Sequence, residues 1–544
     1  MAETESNKKT KWIVVSIFII VLLNTCFNLE KFPSYYWSEG VYIERGINFI
    51  KQGQVYSDPS FIDHPPLGWI IPSLVFKVLD FPESIISMQM SSGASDVERT
   101  IIFLALIPRL IGVIFTMTTA ILVYKISLAI YGNKNMAIFS LASFAMIPAM
   151  WPFRNLQLDP LMITFVLLSL FILLPKDLNR KITGGVLERQ VSVKIVISGV
   201  FFGIAVLVKL TAIFFLPSII LFAMGYGLNS FRSSHPDSIT YPDKNTAVQI
   251  TRKRRILFGI LWLIPVLGFV FSLLIFFIIN QHTLHNLVST QLWQMSRQSF
   301  LPVWIALPLL FIASPVGLCF GIIGLARTLL NKDHRVLGIA GVPYLGFLFR
   351  GGYIEWTHVI PMLPLLSIYA GKPLYQLAQK IFCNSRLAKK SINDLGNLIN
   401  YFVIGLCIVS LGVSIWFASF DETRPSREAI QFLISNLPKN ALLVTDPGYG
   451  WIISVYRPDL NVVDYYALNK MSDIPDSFYI ADRPNSLSYD PTLKNSEALF
   501  DKACPVKEFN NDLSDNSFHP YFLVPNKWWD VKVKYYNAKG CTNS

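Results

Sequence analysis

Long apolar runs separated by polar connections fill the chain up to about residue 420; beyond that the pattern shortens and turns polar. The runs cover about 13–29, 101–124, 136–151, 160–174, 195–208, 211–227, 256–279, 303–327, 336–349, 358–377 and 398–418. A hydrocarbon core takes roughly 20 apolar residues to cross, so the runs predict about eleven transmembrane helices. Helices satisfy their own backbone groups in lipid, which makes them the expected spanning form. The first two runs are separated by a large loop, residues 30–100. There Val41, Ile43, Ile47 and Ile50 recur at helical spacing behind Tyr35, Tyr36 and Trp37, predicting a helix lying in the membrane interface. A second such helix is expected after Pro66, on Ile70, Leu74, Val75 and Val78, and residues 83–98 read as a polar lid or surface excursion. In the tail, a helical stretch from Arg427 to Leu437 precedes strand-like Ala441–Thr445, the turn signal Asp446-Pro447-Gly448 and a second strand at Asn461–Val463. That alternation predicts a small α/β domain. The expected architecture is a polytopic α-helical membrane body, 1–420, followed by a small C-terminal α/β domain, 421–544.

Composition agrees with the pattern. Hydrophobic residues make up 52% of the 544, and the mean hydropathy is +0.45, outside the range of ordinary soluble domains. The net charge of +12 does not require a nucleic-acid partner. With the N-terminus inside, Lys125 and Lys134, Lys176 to Lys194, Lys244 with Arg252 to Arg255, Arg327 to Arg335, and Lys380 to Lys390 all fall in connections on one side. This is the positive-inside distribution. It predicts a multi-pass protein of the cell membrane, with a cytoplasmic N-terminus and an extracytoplasmic tail. Trp12 to Asn28 follows a basic lead without a small-residue cleavage site, so it reads as a retained first span. Cys504 and Cys541 could pair if the tail is outside, and the sequence leaves open whether they do.

The opposite side then gathers the residues suited to chemistry. The first loop carries Glu39, Glu44, Asp58 and Asp63, with His64 and a rigid Pro65-Pro66 pair. Inverting glycosyl transfer needs a carboxylate to take the acceptor proton and a cation to steady the departing phosphate. Glu39 and Asp63 are the candidates for the acid/base and orienting roles, whereas Glu44 and Asp58 read as solvated loop residues. Arg154 is suited to bidentate phosphate contact. Asp159, in an Asp-Pro pair, either caps the next helix or acts. Lys209, between two apolar stretches, is either functional or a snorkelling lysine. Tyr353, Glu355 and His358 precede the tenth span; His358 could meet a phosphate, or the group could be an aromatic belt. His282, His285 and Arg297 read as surface residues. Walker, dinucleotide, HExxH and zinc spacings are absent, so an ATP-driven pump is disfavoured and no cofactor is firmly implied; a divalent metal is left open. The donor must then reach the outer face without a soluble nucleotide, and a polyprenyl-phosphate sugar does so.

Asp63-His64-Pro65-Pro66-Leu67-Gly68 resembles the Asp-x-His-Pro-Pro-Leu-Gly stretch of the dolichyl-phosphate-mannose protein O-mannosyltransferases. Ser38-Glu39 with Tyr42 resembles the Asp-Glu pair that opens the first loop of that family and of the aminoarabinose lipid A transferases. Arg109, Arg154 through Asp159, Gly203 through Lys209 and Tyr353 through Pro364 follow in family order, so the likeness covers about residues 12–375. The resemblance implies a GT-C fold and an inverting transferase that uses a lipid-phosphate sugar, with membrane lipids around it and a protein or lipid acceptor. It also implies catalysis by the first-loop acid pair, with Arg154 and Lys209 on the donor phosphate. Ser38 departs from the pattern, standing where the family has aspartate, and serine is no general base at neutral pH without help. The alternative is therefore a non-catalytic protein that binds or flips lipid-linked glycans. A secondary transporter would need charges deep inside its spans, whereas these gather at one surface.

Overall fold

The structure, a computed structural model, describes residues 2–56, 62–90, 97–174, 185–226, 251–279, 283–296, 306–331, 335–350, 356–383, 392–471, 473–483, 493–510, 518–519, 524–525 and 530–541. The body begins with α1 (Ala2–Cys26). The first-loop helices α2 (Trp37–Gln52), α3 (Leu67–Val78) and α4 (Glu83–Met90) follow. Then come α5 (Val97–Tyr131), α6 (Lys134–Ala145), α7 (Leu158–Leu173), α8 (Gly185–Val208), α9 (Leu216–Ala223), α10 (Arg252–Ile279), α11 (Thr283–Ser296), α12 (Ala306–Ala313), α13 (Pro315–Leu330), α14 (Arg335–Leu348), α15 (Met362–Cys383) and α16 (Ile392–Ala418). Every apolar run of the sequence carries helix. The run 303–327 is not one straight span, however: α12 and α13 meet at Ser314 at an angle of 113°, where Pro315 opens the second helix and cannot continue the first.

Among the described residues, α5, Gln190–Val208 of α8, α10 and Tyr401–Ala418 of α16 are long and apolar enough to cross a membrane; α12 with α13 would make a fifth, bent span. Thr10–Cys26, Leu158–Leu173, Leu210–Ala223 and Arg335–Leu348 are apolar but shorter. On α10, Ile260, Ile264, Leu267, Phe271, Ile275 and Ile278 are exposed. Their spacing of three, four and seven draws an apolar stripe down one side, the signature of a surface that faces lipid.

The tail opens with α17 (Arg424–Asn436) and continues β1 (Leu442–Thr445), α18 (Pro447–Tyr456), β2 (Asn461–Val463), α19 (Tyr465–Lys470), β3 (Ser477–Asp482), α20 (Lys494–Lys502), β4 (Cys504–Phe509), the short pair β5 (Phe518–His519) and β6 (Val524–Pro525), and β7 (Val531–Asn537). The main sheet has the order β2-β1-β3-β7-β4. β1 is parallel to β2 and β3, and β7 is antiparallel to β3 and β4. Alternate residues serve the two faces, as the pleat requires: Leu443 packs with α17 and α18, and Val444 with α19 and α20. Cys504 and Cys541 form a disulfide.

Both expected first-loop helices are present, but they face different surroundings. α3 leaves Leu74 and Val78 exposed, as an interfacial helix would. α2 buries Ile43 and Ile47 in one cluster with Ile430, Leu433 and Ile452 of the tail. Its apolar side is therefore covered by protein, because the amphipathic helix α17 and the apolar helix α18 bring their own hydrophobic faces to it.

Candidate active site

Four connections converge at one end of the bundle: the first loop, the segment before α7, the break after α8 and the turn before α15. The break is sharp. α8 stops at Val208, Lys209 is extended at φ −154°, and a short 3-10 turn over Leu210–Phe215 leads into α9. Lys209 therefore leaves the apolar column sideways. Its Nζ lies 2.6 Å from Asp159 Oδ2, and both side chains are buried. Asp159 stands in the first turn of α7, which begins at Leu158.

The segment that carries Asp63 and His64 packs beside this pair, where Gly68 meets Leu158 and Val208. A Cβ added to Gly68 would lie 2.4 Å from Leu158 Cδ2 and 3.2 Å from the Val208 carbonyl oxygen, so the two segments are in close contact here. Asp63 accepts a hydrogen bond from Arg45 Nη1 at 2.6 Å, and that guanidinium also lies 4.9 Å over the Trp69 ring. Burial pushes the Asp63 carboxyl up, but the charges of Arg45 and His64 and the Arg45 hydrogen bond outweigh it and hold Asp63 below its ordinary value. Burial lowers His64 to about 4, against the pull of Asp63 and with help from Lys209 and Arg45. His64 is thus a neutral imidazole at physiological pH, half-buried and within the field of Lys209. On the far side, Phe215 stacks on Tyr344 at 4.9 Å. The Tyr344 hydroxyl donates to the His358 carbonyl at 3.1 Å, and the half-buried His358 ring meets Phe347 edge-on. Asp63, His64, Asp159 and Lys209 are brought together, and His358 stands in the adjoining turn.

Two of the expected site residues are engaged by the protein itself. The first is Glu39. Its carboxylate accepts from Arg109 Nε and Nη2, both at 3.2 Å, and from the Leu156 backbone N–H at 3.3 Å. Arg109 and Glu39 are both buried, and Arg109 also donates to the carbonyls of Leu29 and Ser34. Arg154, expected on the donor phosphate, is fully buried. It donates to the Phe27 carbonyl and lies 5.2 Å over the Phe32 ring. Both arginines hold the turn that enters the first loop, which is why neither reaches the surface. Ser38 donates to Gln157 Oε1 at 2.9 Å, an amide that cannot activate it. Glu44 is half-buried and sits beside the tail rather than in solvent. Asp58, His282, Arg297, Tyr353 and Glu355 lie outside the described residues, and His285 is exposed.

Sequence reasoning missed Arg45, Gln157 and Tyr344, and gave Arg109 no role. Arg109 had a readable signal, an arginine inside an apolar span. The other three look ordinary in sequence. Among the described residues no three His, Cys, Asp or Glu side chains gather as metal ligands would.

A family model described as dolichyl-phosphate-mannose-protein mannosyltransferase matches residues 105–240, a stretch containing Arg109, Asp159 and Lys209. ArnT from Cupriavidus metallidurans bound to undecaprenyl phosphate superposes with a TM-score of 0.58 at 13% identity, covering 97% of this chain and 98% of that one. Its apo state gives 0.57 at 12%, with coverages of 99% and 100%. The Archaeoglobus fulgidus oligosaccharyltransferase tethered with an acceptor peptide gives 0.54 at 11%, covering 91% of this chain and 72% of that one. One curated relative, the phosphatidylserine decarboxylase proenzyme of Clostridium botulinum (strain 657 / Type Ba4), is 28% identical over 189 residues, 34% of this chain and 56% of that protein. The chain spans about half the length of that relative, and this likeness carries no activity across. The fold is GT-C, of the type seen in ArnT and the archaeal oligosaccharyltransferase, and both the matching family and these structural neighbours are glycosyltransferases.

Proposed function

We propose that the chain transfers a sugar from a polyprenyl- or dolichyl-phosphate donor to a protein or lipid acceptor, with inversion, where the first loop meets Asp159 and Lys209. The observation that carries this reading is the buried Asp159–Lys209 pair, 2.6 Å apart, beside the segment where Gly68 packs on Leu158 and Val208. A buried ammonium needs a counter-charge. A lipid phosphate arriving from the bilayer would replace Asp159 on Lys209 and free that carboxylate. The acceptor oxygen then attacks the anomeric carbon and its proton passes to the carboxylate. The bond to the phosphate oxygen breaks, and polyprenyl phosphate leaves with the electron pair, steadied by Lys209. Asp63, fixed by Arg45, is the second carboxylate and orients neutral His64, while His358 borders the phosphate side. Ser38 leaves the family's usual acid position empty, so Asp159 takes that role and Glu39 positions. The titles of two neighbours, ArnT bound to undecaprenyl phosphate and AglB in complex with dolichol-phosphate and an inhibitory peptide, support a lipid-phosphate donor. The body, 1–420, lies in the cell membrane with its N-terminus cytoplasmic and the tail, 421–544, outside, a placement that the Cys504–Cys541 disulfide favours.

The test is transfer from radiolabelled undecaprenyl- and dolichyl-phosphate sugars to lipid and peptide acceptors by purified protein in liposomes. The wild type should turn over. Lys209→Met should weaken donor binding about tenfold or more. Asp159→Asn should still bind donor but lose about 100- to 10,000-fold in kcat. A second reading, a binder of lipid-linked glycans, draws support from Ser38 being held by Gln157 and Glu39 by Arg109. Donor binding by the wild type without turnover on any acceptor would select that reading and sink the first.

A further inference from the structure

The three parallel strands of the tail bring their carboxyl ends together. Asp446 follows β1, Asp464 follows β2, and β3 ends at Asp482-Arg483. From β1 the chain passes through α18 to β2 on one side, then through α19 to β3 on the other side of β1. In an open α/β sheet such a reversal opens a crevice outside the carboxyl ends of the two diverging strands, and ligands bind there. Here that place is filled by the protein's own first loop.

The contacts are specific. Arg483, itself buried, donates from Nη2 to the Tyr35 carbonyl at 2.6 Å and to Ser34 Oγ at 3.4 Å. Behind it, Nη1 lies 3.9 Å from Asp446 Oδ2. Asp446 also caps α18, accepting from the Gly448 N–H at 2.7 Å. The floor of the crevice is the Ala481 carbonyl, which accepts the hydroxyls of Thr445, Tyr449 and Tyr465 at 3.0, 3.0 and 3.2 Å. The two backbones touch. A Cβ on Gly40 would lie 1.8 Å from the Pro447 oxygen, and one on Gly448 would lie 3.1 Å from Tyr36 C. Trp37 packs edge-on against Tyr466 at 5.8 Å. The segment gripped in this way, Ser34–Trp37, runs straight into Ser38 and Glu39.

We infer that the tail is a docking domain whose ligand crevice takes Ser34–Trp37 as its ligand, and that Arg483 is a positioning residue for the site this loop builds. The loop is held from both sides. Arg109 takes the Ser34 carbonyl from the body, Glu422 takes the Ser34 N–H at 3.0 Å, and Arg483 takes the next carbonyl from the tail. Loosening Arg483 frees the entry to α2, and with it the Ser38–Gln157 and Glu39–Arg109 contacts. Only the kinetic part of this inference rests on the sugar-transfer reading above.

The experiment compares the full-length protein with Arg483→Met, Arg483→Lys and Tyr466→Ala. Backbone hydrogen exchange is read first. In Arg483→Met the amides of residues 34–40 should exchange about tenfold faster or more, the loss of a charged hydrogen bond to buried backbone. Arg483→Lys should lie between, since it keeps the charge and loses the fork. Tyr466→Ala, which leaves the arginine network intact, should show a smaller rise at the same amides. Turnover is read second. Arg483→Met should lower kcat about tenfold while KM for the lipid-phosphate sugar stays within about twofold, the split expected when geometry rather than donor binding is lost. Unchanged exchange at 34–40 in both Arg483→Met and Tyr466→Ala overturns the docking claim. A rise in KM equal to the fall in kcat/KM overturns the positioning role. Faster exchange at 34–40 in a protein whose wild type transfers no sugar leaves the docking domain standing and removes the transferase reading alone.

Discussion

At the scale of single residues, Glu39 and Lys209 show how the same physics separates an ion pair locked by several donors from one that rests on a single carboxylate. The Glu39 carboxylate has three donors from two elements of the body, and nothing entering from lipid could replace all of them. Lys209 has one carboxylate partner at 2.6 Å, and one phosphate could take its place. Removing one member of a buried pair leaves the other charge uncompensated, at a cost of about 3–5 kcal/mol. Glu39→Gln should therefore lower thermal stability by about that much, and Arg109→Met in the same chain should restore part of it. Had Glu39 been the proton acceptor instead, Glu39→Gln would abolish turnover at unchanged melting temperature, and that result would reverse the assignment. Lys209→Arg should retain donor binding, because the charge persists, yet slow turnover, because a planar fork does not fit the place of a compact ammonium.

At the scale of elements, the decisive contact is that of α2 with α18, made possible by Gly40. With a backbone oxygen 1.8 Å from where its Cβ would stand, Gly40→Ala cannot be relieved by a side-chain rotation, so the two helices must separate. The expected outcome is a loss of about 1–3 kcal/mol, as for overpacking elsewhere, with faster exchange confined to 34–46 and 446–456. Unchanged exchange there would mean that the contact is dispensable. None of this was readable from the sequence. The helices themselves were, since an apolar run fixes a span wherever it lies, and β1 and β2 announced themselves by a Leu/Val run and an Asp-Pro-Gly turn. Lys209 was legible as a charge interrupting an apolar stretch, and Asp63-His64 as a carboxylate and an imidazole beside a double proline. What could not be read was which side of α2 meets what. Its isoleucines would look the same facing lipid or facing the tail, and only tertiary packing chose the tail. Arg154 is ambiguous for a related reason: an arginine near a membrane surface reads as phosphate-binding, whereas here its Nη2 is on the Phe27 carbonyl.

At the scale of the whole molecule, body and tail meet across the first loop and the start of α5, and that junction carries a charge. Cys504–Cys541 ties the start of β4 to the residues after β7 across a separation of 37. Reducing it should destabilise the tail by about 4 kcal/mol on chain entropy alone, with little effect on the body's own helices. The junction between the two units responds to pH by a different route. Glu44 lies on α2 one position before Arg45 and seven after Trp37, so it shares the helix side that meets the tail. Burial first, and then the Asp464 carboxylate, raise it to about 7 from an ordinary 4.5, while Arg45 opposes. Asp464 is itself committed to capping α19 through the Ala467 N–H at 2.7 Å, so it stays where its charge acts on Glu44. An acid whose pKa is raised by docking prefers the docked state when protonated. Below 4.5 Glu44 is protonated in both states and costs nothing. As pH climbs from 4.5 to 7 the undocked form ionises first, and docking weakens progressively; above 7 the penalty is complete. Burial lifts Asp446 in the same direction, so the difference between wild type and Glu44→Gln isolates the Glu44 contribution. The first thermal transition of the wild type should fall between pH 5 and pH 8, and in Glu44→Gln the fall should be visibly smaller. Parallel curves for the two proteins would place the pH response elsewhere and leave the junction electrostatically silent.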